Sequence, residues 1–110
     1  MTTLLFRDTP YERVKAGLDR KMIYTGHLMS VLLDFSGGPW ATPEPLHCHV
    51  HEQISFICEG EILFFCEGEA PVRLMGGDFF AVPSGTKHGI QLLTATARLI
   101  DNFTPVRENF

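Results

Sequence analysis

Short apolar runs alternate with polar positions along this chain, and Gly and Pro separate the runs at close intervals. Residues 27–35 are the clearest case. His27, Met29, Val31, Leu33 and Phe35 fall on one side of an extended chain, and Leu28, Ser30, Leu32 and Asp34 on the other. A strand turns successive side chains to opposite faces, so this stretch predicts a strand with one dry and one wetter face. Ser30 and Asp34 mark the wetter side; His27 shares the apolar side and reads as a core or rim histidine. Similar runs predict strands at 22–25, 62–65, 72–75, 79–82, 88–93 and 97–103. Residues 4–7 and 11–14 read as short edge strands, with a single turn of helix over 11–18 as the alternative, and no segment keeps a convincing helical period. The sequence Cys-Glu-Gly-Glu occurs at 58–61 and again at 66–69. Both copies predict hairpin turns flanking strand 62–65, Gly supplying the positive φ. Many short strands with Gly/Pro punctuation predict an all-β sandwich or barrel, and closing the barrel removes exposed strand edges.

Length and charge narrow the picture. The chain has 110 residues, enough for one core without staples, and nothing marks an internal boundary, so residues 1–110 read as one domain. A net charge of −4 with no Lys/Arg cluster argues against nucleic acid as a partner. No apolar run approaches the ~18 residues of a membrane span, and no basic region precedes the first apolar residues as in a secretory signal. Cys48, Cys58 and Cys66 are odd in number and form no Cys-x-x-Cys pair, which predicts reduced thiols and a cytoplasmic location.

The densest chemistry lies in Pro45-Leu46-His47-Cys48-His49-Val50-His51-Glu52-Gln53, where three of five histidines fall within five positions. In an extended chain His47 and His49 share a face, the natural start of a metal site. Gln53 has the same parity and would add an oxygen ligand. Cys48 should face away and Glu52 should face solvent. His51 joins the cluster by parity unless a turn swings it out.

The spacing His-x-His, three residues, Gln53, six residues, Gly60 resembles the first motif of the cupins, which carries Glu where Gln53 stands. Gly77-Asp78-Phe79-Phe80-Ala81-Val82-Pro83-Ser84-Gly85-Thr86-Lys87-His88 resembles their second motif. The resemblance implies a jelly-roll barrel with a metal-binding core over residues 45–93. It makes His88 the last ligand beside His47, His49 and Gln53. Imidazole and amide donors suit one divalent Zn, Ni, Fe or Mn ion.

The ending Leu99-Ile100-Asp101-Asn102-Phe103-Thr104-Pro105-Val106-Arg107-Glu108-Asn109-Phe110 is similar to that of the small KdgF-type cupins of pectin and alginate breakdown. Those end in Leu-Asp-x-Phe-Ser-Pro-x-Arg-Glu-Asp-aromatic. Asp101, Phe103, Pro105, Arg107, Glu108 and Phe110 match; Ile100, Thr104 and Asn109 depart mildly. The resemblance implies linearisation of 4,5-unsaturated monouronates to open-chain 4-deoxy-5-keto acids. Asp101 would be the general acid/base, resting ionised because the nearby metal lowers its pKa. Arg107 would clamp the carboxylate of a small anionic sugar, and Phe103 would pack against its ring. Plainer readings stand beside these: Asp101 as a strand-end hydrogen-bond acceptor, Arg107 as a surface partner of Glu108, Phe103 as core. Rival functions are a three-His dioxygenase and a non-catalytic sugar-binding module. Ile54, Phe56 and Cys58, on the outward face of their strand, predict a homodimer that covers them.

Overall fold

The alternation at 27–35 becomes the strand that anchors the larger of two sheets. The computed structural model describes residues 2–107. Its strands are β1 (Glu12–Lys15), β2 (Leu18–Tyr24), β3 (Met29–Phe35), β4 (Glu52–Glu59), β5 (Glu61–Cys66), β6 (Val72–Met75), β7 (Phe79–Val82), β8 (His88–Leu92) and β9 (Ala97–Thr104). All pairings are antiparallel, and the strands form a six-stranded sheet, β1-β2-β3-β9-β4-β7, and a three-stranded sheet, β6-β5-β8. Among the described residues no helix is long and apolar enough to cross a membrane.

The core fills the space between the sheets. Val31, Ile57, Ile62, Leu92, Leu99 and Phe103 are fully covered. Burying each such side chain contributes roughly 1.5–3 kcal/mol. Phe64 of the small sheet stacks on Phe80 of the large one with ring centroids 4.2 Å apart. In β3 the inward residues are Met29, Val31, Leu33 and Phe35, as the alternation predicts.

Four sequence expectations are corrected. Residues 4–7 do not form a strand: Phe6–Asp8 is a single 3₁₀ turn, closed by bonds from the Asp8 N–H and the Thr9 hydroxyl to the Leu5 carbonyl. It lies against the outside of the sheet, where Phe6 meets the Lys21 ammonium, which donates to the Phe6 carbonyl and sits 3.7 Å from the ring centroid. The helical alternative at 11–18 gives way to β1 and the turn into β2. His27 is exposed, because the chain turns at residues 25–28, where the Thr25 N–H bonds the Leu28 carbonyl at 2.8 Å, and β3 begins only at Met29. The first Cys-Glu-Gly-Glu is not a hairpin. β4 and β5 belong to different sheets, and Gly60 (φ +87°) carries the chain across between them. A Cβ there would stand 2.6 Å from the Ala97 Cβ, so only Gly fits both the backbone and the space. The second copy does close a hairpin, between β5 and β6.

Strand β9 lies between β3 and β4, and its register sets the interior. Asp101 is opposite Val31 on one side and Ser55 on the other; Phe103 is opposite Met29 and Gln53. The outward side of β4 and β7 remains apolar and open, with Ile54 54% and Phe79 63% exposed.

Candidate metal centre

His47 belongs to no strand, yet its place is fixed by the ladder. It forms one antiparallel bridge with His88, each N–H bonded to the other's carbonyl at 2.9 Å. Directly opposed residues put their side chains on one face, so the two rings meet with centroids 4.4 Å apart. The chain then bends at Val50 and His51 before β4 begins. His49, just before that bend, lies over the same spot with its ring centroid 5.0 Å from that of His88, tied by its carbonyl to the Gly85 N–H at 2.8 Å. One ring nitrogen each from His47, His49 and His88 lies within 4.8 Å of the others.

The second ring nitrogens explain the orientation. His49 Nδ1–H donates to the His51 carbonyl at 2.8 Å, and His88 Nδ1–H to the Thr86 carbonyl at 3.0 Å. Such a bond fixes the tautomer and turns the Nε2 lone pair toward a metal. Burial lowers the pKa of both His88 and His49, and their mutual proximity and that of His47 act in the same direction on His88. Neutral imidazole, the form a metal needs, therefore persists below the usual range.

Gln53, buried on β4, brings Oε1 to 3.1 Å from His49 Nε2. Donors about 2.1 Å from one ion and at right angles sit roughly 3 Å apart, so this spacing fits a shared ion. The donor set is neutral and suits one divalent first-row ion. His51 stands outside the nitrogen cluster; its ring packs on His49 and Phe103, and its contribution is the carbonyl that orients His49. Cys48 and Glu52 are exposed.

Behind the cluster, the Gln53 amide Nε2 donates to Ser55 Oγ at 2.9 Å, and Ser55 Oγ donates to Asp101 Oδ1 at 2.6 Å. The protein's own groups act on Asp101 in the opposite direction to the lowering expected from a bound metal. Burial of Asp101, with 7% of its surface exposed, pushes the carboxyl up to about 6, against the Ser55 hydrogen bond, with the Glu44 charge raising it further and Arg107 lowering it. Desolvation disfavours the ionised form more than one hydroxyl and one cation restore it.

A cavity of about 210 Å³ opens onto this group. It is lined by His47, Gln53, His88, Asp101, Arg107 and Glu44. Phe103 is 1% exposed; its ring lies edge-on to His49 and beneath the Arg107 guanidinium, 5.3 Å from its centre. Glu108 and Phe110 of the tail motif, with Asn109, lie outside the described residues. Glu44 and Ser55 escape a sequence reading centred on histidines. Glu44 sits in a Pro-Glu-Pro run that reads as punctuation, and at the rim it packs over Gly89, where a Cβ would lie 3.2 Å from the Glu44 Cγ. Ser55 carries a usable signal, the inward parity it shares with Gln53.

A model of the family described as the cupin domain matches residues 37–101. Among solved structures, an RmlC-like cupin from Shewanella frigidimarina is 34% identical, with a TM-score of 0.88 over 100% of this chain and 96% of that one. KdgF from Halomonas sp. is 32% identical, with a TM-score of 0.85 over 96% of this chain and 95% of that one. Oxalate decarboxylase from Bacillus subtilis, which has Mn(II) centres, is 24% identical, with a TM-score of 0.76 over 96% of this chain and 30% of that one; that likeness is one of fold alone. No match was found among curated proteins.

Proposed function

The chain belongs to the cupin family, and on that premise we propose that it is a metal-dependent enzyme that linearises 4,5-unsaturated monouronates to open-chain 4-deoxy-5-keto acids. One observation carries the reading: Asp101 and Arg107 open onto the same cavity as the proposed ligands His47, Gln53 and His88. The 32% identity to KdgF over nearly the whole chain supports it, as does the tail motif.

The reaction is an isomerisation and needs no co-reactant. The anomeric hydroxyl loses a proton as the bond from C1 to the ring oxygen breaks, leaving an aldehyde and an enolate. The enolate then takes that proton at C4 and becomes the 5-ketone. One carboxyl that accepts a proton and returns it is enough. Asp101, with a pKa of about 6, lies close to neutral pH, where such a carrier works best. Arg107 offers a planar fork to the substrate carboxylate, and Phe103 supports it from below. A divalent ion, when bound by His47, His49, Gln53 and His88, supplies Lewis-acid polarisation of substrate oxygens.

Incubation of the metal-loaded protein with a Δ4,5-unsaturated uronate, followed by loss of its near-ultraviolet absorbance, tests the reading. Decay faster than the spontaneous rate is expected. Decay at the spontaneous rate with every divalent metal tried would remove the activity. Oxygen uptake in place of isomerisation would move the chain to the dioxygenases.

We also place the chain in the cytoplasm, on the strength of its three thiols, and in a homodimer that covers Ile54, Phe56 and Phe79. Sedimentation at micromolar concentration should give twice the chain mass; a monomer would remove the dimer and leave the chemistry untouched.

A further inference from the structure

We propose that Ser55 is a positioning residue: its hydroxyl decides which end of the Gln53 amide faces the histidines, and thereby whether the site can hold a metal. The inference rests on the metal-binding part of the reading above, not on the uronate.

Ser55 is 0% exposed, so its hydroxyl has no solvent to fall back on. It has one proton to give and lone pairs to receive. Register places Asp101 directly opposite Ser55, and an ionised carboxylate only accepts. The Ser55 proton therefore goes to Asp101 Oδ1, at 2.6 Å, and Ser55 Oγ must be approached by a donor from its other side. Gln53 provides one, its NH₂ at 2.9 Å. That commits the amide, since Oε1 must then point away from Ser55, and it stands 3.1 Å from His49 Nε2.

His49 is committed as well. Both of its ring nitrogens face oxygens that only accept, the His51 carbonyl at 2.8 Å and Gln53 Oε1 at 3.1 Å, and a neutral imidazole has one N–H to give; with it on Nδ1, at the shorter contact, Nε2 carries a lone pair. Two acceptors thus face each other at 3.1 Å, an arrangement that repels unless something positive stands between them. The opposite amide orientation would relieve that repulsion by giving the Gln53 NH₂ to His49. It would also turn a donor toward the ion and leave Ser55 Oγ without its own. The chain of bonds from Asp101 through Ser55 excludes that orientation. A glutamate at position 53 would need no such guard, because both of its oxygens accept. The guard is required because this chain has an amide there.

The test is a double-mutant cycle read by metal affinity. Co(II) is titrated into the full-length, metal-free protein and followed by its visible absorption, with circular dichroism reporting the fold. Ser55→Ala should raise the Co(II) dissociation constant roughly 10–100-fold, the usual effect of losing an outer-shell partner. Ser55→Thr, which keeps the hydroxyl, should recover most of that loss. In a Gln53→Glu background, Ser55→Ala should cost far less. Should Ser55→Ala not fold, Ser55→Cys, which keeps volume but bonds weakly, takes its place. Equal losses in the wild-type and Gln53→Glu backgrounds would make Ser55 ordinary packing and overturn the proposal, as would unchanged affinity in Ser55→Ala. Failure of the wild type to bind Co(II) would remove both this proposal and the metal reading. Coupling between the two positions in a protein inert toward uronates would sustain the proposal and remove only the uronate.

Discussion

Asp101→Asn should keep the fold and the metal and lose turnover of the unsaturated uronate by roughly 10²–10⁴-fold, the usual contribution of a general acid/base. The amide keeps the shape of the carboxyl and still accepts from Ser55, but cannot carry a proton at neutral pH. Arg107→Ala should behave differently, raising KM more than it lowers kcat if its work is to hold the carboxylate. Wild-type turnover in Asp101→Asn would make Asp101 structural. The same substitution has a second readout in the metal-free protein. Burial raises the Asp101 pKa to about 6, from about 3.9 in an unfolded chain. A raised carboxyl favours folding below the lower value, and that advantage is lost as pH rises to the upper one. Above pH 6 the wild type bears the whole cost, about 3 kcal/mol for a two-unit shift. Asp101→Asn should therefore melt higher than the wild type at pH 7.5, with the difference gone by pH 4. A lower melting point at pH 7.5 would mean that the carboxylate is better stabilised than its burial implies.

His88→Ala should abolish metal binding and, with it, the proposed reaction. His88 is 3% exposed, paired through its backbone to His47, and oriented by Thr86. Removing the ring takes away a ligand, and the loss should exceed the roughly 10–100-fold that an outer-shell change costs. The backbone bridge survives the substitution, so His47 and His49 remain in place and the effect isolates the ligand. Cys48→Ala is the control: the thiol is exposed and its removal should leave affinity unchanged. Calorimetric titration with Mn(II) or Zn(II) compares the two. Undiminished binding by His88→Ala would mean that any ion sits elsewhere.

Parity along single strands is the most legible feature of this sequence. It places Val31 and Phe35 inside, Ile54 and Phe56 outside, and Asp101 on the inward face with Leu99 and Phe103, because a two-residue period is a property of the strand alone. What parity cannot report is the partner. The repeated Cys-Glu-Gly-Glu has one meaning at Cys66 and another at Cys58, and the difference lies in which distant strands β4 and β5 adopt as neighbours. Parity also fails past the end of a strand, which is why His27 is exposed and not part of the core. His47 and His49 are reached by the same period although the chain there pairs only once with a strand; the His88 bridge and the bend at residues 50–51 replace what a continuous strand would have supplied. The Asp101 pKa turns on enclosure by residues far away in sequence, and no local pattern encodes that.

The proposed ligands come from two kinds of backbone. Gln53 and His88 sit in ladders, with Ser55 and Asp101 beside them between the central strands β4 and β9. His47 and His49 sit on an irregular segment that bonds to β8 at Glu44 and His47 and to the turn at residues 84–85 through His49 and Val50. Local opening draws on segments with few protected backbone bonds and spares central strands. Opening of the 47–51 segment would free two of the four donors while Gln53 stays on an interior strand, giving ion exchange a route that bypasses unfolding. The lifetime of a bound ion would then follow the breathing of one short loop, and the stability of the barrel would bear on it only indirectly.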